Sequence, residues 1–132
     1  MATNKKPGKW RARTQGVRGG QTRTPFQETS EAMFLTSGYA YESAKQAEAR
    51  FTGEDEGFQY SRFGNPTVTM FEERMAALEG APIARATASG MAAVSAALLS
   101  GLNAGDHIVA ARAMFGSCRT VIVDILSRFG VT

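Results

Sequence analysis

Lysine disappears from this chain after Lys45, cysteine and histidine occur once each, as Cys118 and His107, and no acid is found among the first 23 residues. Each scarcity excludes something. A lone cysteine cannot form an intramolecular disulfide, and it fits a reducing compartment. One cysteine and one histidine do not furnish a dedicated zinc site, so no metal ligands are assigned. No apolar run reaches the roughly 20 residues of a membrane span. The N-terminus lacks the apolar core of a secretory signal, and the cytoplasm is the expected address. The missing lysines leave Lys45 as the last lysine of the chain, and it falls in the first turn of a short exposed helix, which argues against a catalytic amine.

What is present is asymmetric. Lys5, Lys6, Lys9, Arg11, Arg13, Arg18 and Arg23 make residues 1–23 a purely basic arm, and the remaining residues carry eight bases against twelve acids. With only Trp10 and Val17 as sizeable apolar groups, the arm is expected to be flexible or loosely docked. It lacks a nucleic-acid reading motif, and no nucleic-acid or membrane partner is expected.

Local chemistry marks the helices. Ser43-Ala44-Lys45-Gln46 fits a capping box opening a helix that runs to about Phe51. Asn65 as N-cap and Pro66 as first helical residue start another, with Val68, Phe71, Met75 and Leu78 at helical spacing and Gly80 as its stop. Met91 to Leu99 is apolar nearly all round, the pattern of a helix buried in a larger body. A last helix is predicted from about Ser117 to Arg128, with Val121, Ile122, Ile125, Leu126 and Phe129 as its buried stripe. Residues 83–88 and 107–111 read as short strands, and Val131-Thr132 as the start of another. The turn-rich segment from Gly19-Gly20 to Gly38 has no period and reads as extended chain lying on something. Alternating strands and helices predict a parallel α/β sheet, which needs more strands than the chain supplies. The expectation is a chain that stops in mid-domain.

Two stretches carry candidate chemistry. Ser89-Gly90-Met91 opens a helix whose first N–H groups lack intrahelical partners and whose dipole favours an anion, while Gly90 lets a phosphate approach the backbone. A serine cap followed by glycine is also common without any ligand. Tyr60 and Arg62 offer a phenol and a planar cation suited to phosphate, and in extended chain they would share one face. Equally, they could be a half-buried anchor and a solvated surface cation. Cys118 reads as a packed thiol and His107 as structural or solvent-facing.

The run Tyr60-Ser61-Arg62-Phe63-Gly64-Asn65-Pro66-Thr67, taken with Ser89-Gly90-Met91 and Phe115-Gly116, resembles the Cys/Met-metabolism family of pyridoxal-phosphate (PLP) enzymes over residues 16–132. The resemblance implies an α/β fold, an incomplete N-terminal portion of the aspartate-aminotransferase-like fold type I, preceded by an extended arm. It implies PLP as cofactor, with the backbone of Ser89, Gly90 and Met91 on its phosphate, Tyr60 and Arg62 reaching that phosphate from a neighbouring subunit, and Phe115 stacked on the pyridine ring. The family's Schiff-base lysine has no counterpart here, so no catalytic residue is assigned. The implied domains are the arm over 1–23, a segment over 24–66 that serves the dimer and the neighbouring active site, and the start of a truncated PLP-binding domain over 67–132.

Within the family, Ala113-Met114-Phe115-Gly116-Ser117-Cys118-Arg119 and the Gly19 to Phe34 segment imply a γ-replacement in methionine biosynthesis. A succinyl ester of homoserine and sulfide, both small molecules, would give homocysteine and succinate. Many γ-lyases carry a tyrosine where Phe115 stands, and losing its hydroxyl favours replacement over elimination. The implied assembly is a homodimer sharing active sites, extended to a homotetramer. Cystathionine γ-synthase chemistry is the alternative within the class, and a non-enzymatic interaction module the alternative outside it.

Overall fold

The computed structural model describes residues 10–132, which divide into two compact units, one ending at Arg85 and one spanning Ala86–Thr132. Basic residues 5, 6 and 9 of the expected arm lie outside the described residues. Its remainder is ordered: Ala12–Arg18 forms helix α1, which packs on α3 (Pro66–Glu79). Gly19-Gly20 makes this docking possible. Gly20 has φ +67°, and a Cβ there would meet the Met70 carbonyl oxygen at 2.6 Å, so only glycine lets the backbone lie this close to α3. Arg74 of α3 donates from Nε to the Gly19 carbonyl at 3.0 Å and pairs with Glu31 at 2.5 Å. Composition could not reveal this docking, because polar backbone contacts replace apolar ones.

The segment from Thr24 to Glu42 holds no regular element and is pinned at intervals. Glu28 accepts from the Thr24 N–H at 2.8 Å and its hydroxyl at 2.6 Å. Further on, the Phe34 N–H donates to the Thr67 hydroxyl at 2.9 Å, and Gly38 forms an isolated antiparallel bridge with Tyr60. Helix α2 (Ala44–Thr52) begins at Ser43, whose hydroxyl accepts from the Gln46 N–H at 3.1 Å, while Gln46 Oε1 accepts from the Glu42 N–H at 2.8 Å. Lys45 is exposed on it. Beyond the left-handed Gly53, Arg50 pairs with Asp55 at 3.1 Å and sits 5.5 Å from the Tyr41 ring centroid. Helix α3 carries both α1 and the irregular segment, and this compact unit runs to Arg85.

The second unit contains α4 (Gly90–Leu99) and α5 (Gly116–Thr120), which continues as a π turn over Val121–Ile125 and a tight 3-10 turn over Leu126–Phe129. Its core is Val121, Leu126 and Val131, with Met91, Leu98, Leu102 and Ile108 packed against it. Leu126 is 1% exposed. The expected stripe is only half realised: Ile125 and Phe129 are exposed, since the wider π turn shifts the phase of the residues that follow it. Helix α4 buries none of its residues, and on α3 Val68, Phe71 and Leu78 are likewise exposed.

Neither expected strand forms a ladder among the described residues. The start of one is visible: Thr132 N–H donates to the Asp106 carbonyl at 3.0 Å, and Ile108 N–H to the Thr132 carbonyl at 2.7 Å. That pair of bonds flanking His107 is the pattern of parallel pairing. Residues 83–88 carry no strand among the described residues.

Acid should loosen the first unit. The Arg74 hydrogen bond holds the Glu31 carboxyl below its ordinary 4.5, and the Thr24 hydroxyl and N–H do the same for Glu28. A depressed folded value means that the stabilisation is complete above about pH 4.5 and is lost as pH falls through the lower folded values. NMR signals of the Arg74 Nη2 protons and the Thr24 amide should hold constant from pH 7 to 5 and lose protection below, and Glu31→Gln should remove the transition at Arg74 alone.

Candidate cofactor-binding site

Tyr60 and Arg62 do not lie in extended chain. The N–H groups of Phe63 and Gly64 both donate to the Tyr60 carbonyl, at 2.9 and 3.1 Å, closing a turn that delivers the backbone into α3. The turn is forced from downstream. Asn65 must adopt extended dihedrals (φ −141°, ψ 135°) to cap the helix and Pro66 must occupy its first position, so the reversal falls on residues 60–64. The pair is nonetheless brought together: the Arg62 guanidinium lies 5.4 Å from the Tyr60 ring centroid and 5.2 Å from that of Phe63. Both Tyr60 and Arg62 are exposed. Arg62 belongs to none of the ion pairs among the described residues, which are Arg50–Asp55, Arg74–Glu31 and Arg85–Glu72.

In the second unit, Ser89 caps α4 with φ −157° and ψ 159°, and its hydroxyl accepts from the Ala92 N–H at 3.1 Å. The Thr87 hydroxyl donates to the Ser89 carbonyl at 2.8 Å and braces the approach to the cap. The hydroxyl thus serves a later N–H, while those of Gly90 and Met91 precede any possible intrahelical acceptor. Gly90 is exposed, and a Cβ built there would meet nothing within 4 Å. Phe115 stands at the N-cap of α5, a helix in contact with α4, and its ring is 71% exposed. Cys118 is half-buried, and His107 Nδ1 lies 3.2 Å from the Thr132 hydroxyl.

The first unit offers a phenol beside a guanidinium that joins no ion pair found among the described residues, and the second offers a helix start with open N–H groups and an uncovered aromatic ring; each is a chemistry suited to an anion or an aromatic ligand. Residues 13–132 match the Cys/Met metabolism PLP-dependent enzyme family, and the chain belongs to that family. It is 60% identical over 118 residues to an O-succinylhomoserine sulfhydrylase of Mycobacterium tuberculosis, covering 89% of this chain and 29% of the relative. It is 51% identical, with the same coverage, to an O-succinylhomoserine sulfhydrylase of Pseudomonas aeruginosa. A solved structure from Campylobacter jejuni, described as an O-acetylhomoserine (thiol)-lyase holding pyridoxyl-lysine monophosphate, superposes with a TM-score of 0.85 at 30% identity over 92% of this chain and 30% of that one. The chain thus spans about 29% of the length of the curated relatives it matches. Its fold is that of the fold type I PLP enzymes, in the part that these relatives share with it.

PLP is the family's cofactor, and its phosphate is chemically compatible with the exposed Arg62, which joins no ion pair found among the described residues, and with the unobstructed backbone at Gly90. Sequence reasoning passed over one contributor. Ser61, between Tyr60 and Arg62, is tied by hydrogen bonds to Thr36, Ser37 and Asn65. Its four-residue spacing from Asn65 was the available signal.

Gly90→Ala separates packing from ligand approach. The methyl group meets no neighbour and should leave thermal stability unchanged or raise it by roughly 0.4–1 kcal/mol. A backbone that carries phosphate at this point should lose affinity for PLP by about tenfold, measured by titration of the apoprotein.

Proposed function

We propose that this chain is the cofactor-cradling part of a PLP-dependent O-succinylhomoserine sulfhydrylase, which replaces the succinyloxy group at Cγ with sulfide, releasing succinate and forming homocysteine in methionine biosynthesis. The observation that carries the reading is the Tyr60–Arg62 turn, where a phenol and a guanidinium without a carboxylate partner are set side by side. Arg62 supplies a planar fork and permanent charge to phosphate oxygens, and Tyr60 adds a hydroxyl donor. These two serve the active site of a neighbouring subunit. The N–H groups of Gly90 and Met91 hold the phosphate within their own subunit, and Ser89 keeps them free by capping Ala92 instead.

Phe115 covers one face of the pyridine ring and excludes water from it. It carries no hydroxyl, so this position offers no acid to a leaving thiol, and replacement is favoured over elimination. Bound PLP supplies the electron sink for loss of the substrate protons and departure of succinate. The proton-transferring amine is not contributed by this chain: Lys45 is exposed on α2, and no lysine follows it. The protein acts in the cytoplasm as a homodimer that shares its active sites and assembles into a homotetramer. Support for the substrate comes from the two sulfhydrylase relatives, and support for the cofactor from the family.

Assay of the full-length protein with O-succinylhomoserine and O-acetylhomoserine, each with sulfide or cysteine, tests the assignment. Homocysteine formed fastest from the succinyl ester and sulfide is the expected result. Faster formation of cystathionine from cysteine would assign a γ-synthase instead. The 132-residue chain alone should show no turnover with any of the four pairs, and measurable homocysteine from it would overturn the statement about Lys45.

A further inference from the structure

The turn that presents Tyr60 and Arg62 is anchored by side chains that touch no ligand themselves. Asn65, 6% exposed, uses Oδ1 to accept from the Thr67 N–H at 2.9 Å and so caps α3. Its Nδ2 donates twice, to the Phe34 carbonyl at 2.9 Å and to the Ser61 hydroxyl at 3.0 Å. The Ser61 hydroxyl passes its own proton to the Thr36 carbonyl, with the Tyr39 hydroxyl 3.4 Å away, and the Ser61 N–H donates to the Ser37 carbonyl at 2.9 Å. Capping alone would be served as well by serine or aspartate. Only an amide adds two donors to the capping oxygen, so this position asks more of Asn65 than a helix start requires.

We infer that Ser61 and Asn65 are positioning residues for the anion-binding pair, a strap that holds the backbone of residues 60–62 against residues 34–37 so that Tyr60 and Arg62 present their polar ends in a fixed direction. The inference rests on the reading that these two hold the cofactor phosphate. Arginine is a long side chain with many rotamers, and its forked geometry gains specificity only when its origin is fixed. Ser61 fixes that origin from both directions of the chain, since its neighbours on each side are the two phosphate-directed residues. The stacked contacts of the guanidinium with the Tyr60 and Phe63 rings then restrict what freedom remains.

The test compares PLP with pyridoxal, which keeps the ring and aldehyde and lacks the phosphate, by equilibrium titration of the full-length apoprotein. Asn65→Ser retains a capping oxygen and loses both amide donors; Ser61→Ala removes the hydroxyl, and Ser61→Thr restores it. Asn65→Ser and Ser61→Ala should each weaken PLP binding by about five- to tenfold while changing pyridoxal binding by less than about twofold, and Ser61→Thr should bind PLP as the native protein does. A parallel fall in both affinities would reduce the pair to a general structural role and overturn the inference, as would unchanged PLP affinity. Should Asn65→Ser fail to fold, the Ser61 variants decide the matter. Arg62→Ala is the reference: if it does not weaken PLP selectively, the phosphate reading itself falls, an outcome distinct from a failure of the strap alone.

Discussion

The first unit depends on a single buried polar side chain. Asn65 is the one buried polar residue among those described, and its three hydrogen bonds join elements that lack an apolar reason to meet. A buried amide left unpaired costs on the order of 1–3 kcal/mol, so the irregular segment must be where it is for the amide to be satisfied. This fixes the start of α3, and α3 in turn carries α1 through Gly20 and Arg74. The Tyr60–Arg62 turn is what remains between the bridge at Gly38 and the cap. Its conformation follows from its ends.

Legibility in the sequence divides along the range of the interactions involved. The caps at Ser43, Asn65 and Ser89, the proline at 66 and the left-handed glycines at 80 and 130 were all readable, because each is settled within four residues of itself. The extent of the strand over 107–111 was not, because a strand is defined by its neighbour and among the described residues 107 pairs with Thr132 alone. The same reason accounts for the stripe on the last helix. Periodicity correctly marks Val121 and Leu126, but it assumes 3.6 residues per turn throughout, and the π turn breaks that phase before Phe129.

At the Tyr60–Arg62 turn, the local geometry was not legible. Alternation in an extended chain would also place Tyr60 and Arg62 together, so the expectation was met by the wrong backbone. The turn gives a closer relation than alternation does, because it brings the guanidinium into stacking distance of two rings. The role of Ser61 could not be read from composition. The four-residue spacing from Asn65 hints at one partner of this serine, but those some 25 positions upstream have no signature in the sequence.

The apolar surfaces complete this account. Helix α4 is apolar on nearly every side and buries none of its residues, while α3 exposes Val68, Phe71 and Leu78. Sequence patterning specifies what a helix is suited to cover, and not whether the cover is supplied by the same stretch of chain. Capping chemistry differs in kind, since Ser89 completes its hydrogen bond with Ala92 whether or not α4 is enclosed. That separation explains how a segment equal to about three tenths of its relatives can keep its helix caps in order while its hydrophobic faces stay open. The caps are set by short-range hydrogen bonds, which form whether or not the helices they start are enclosed.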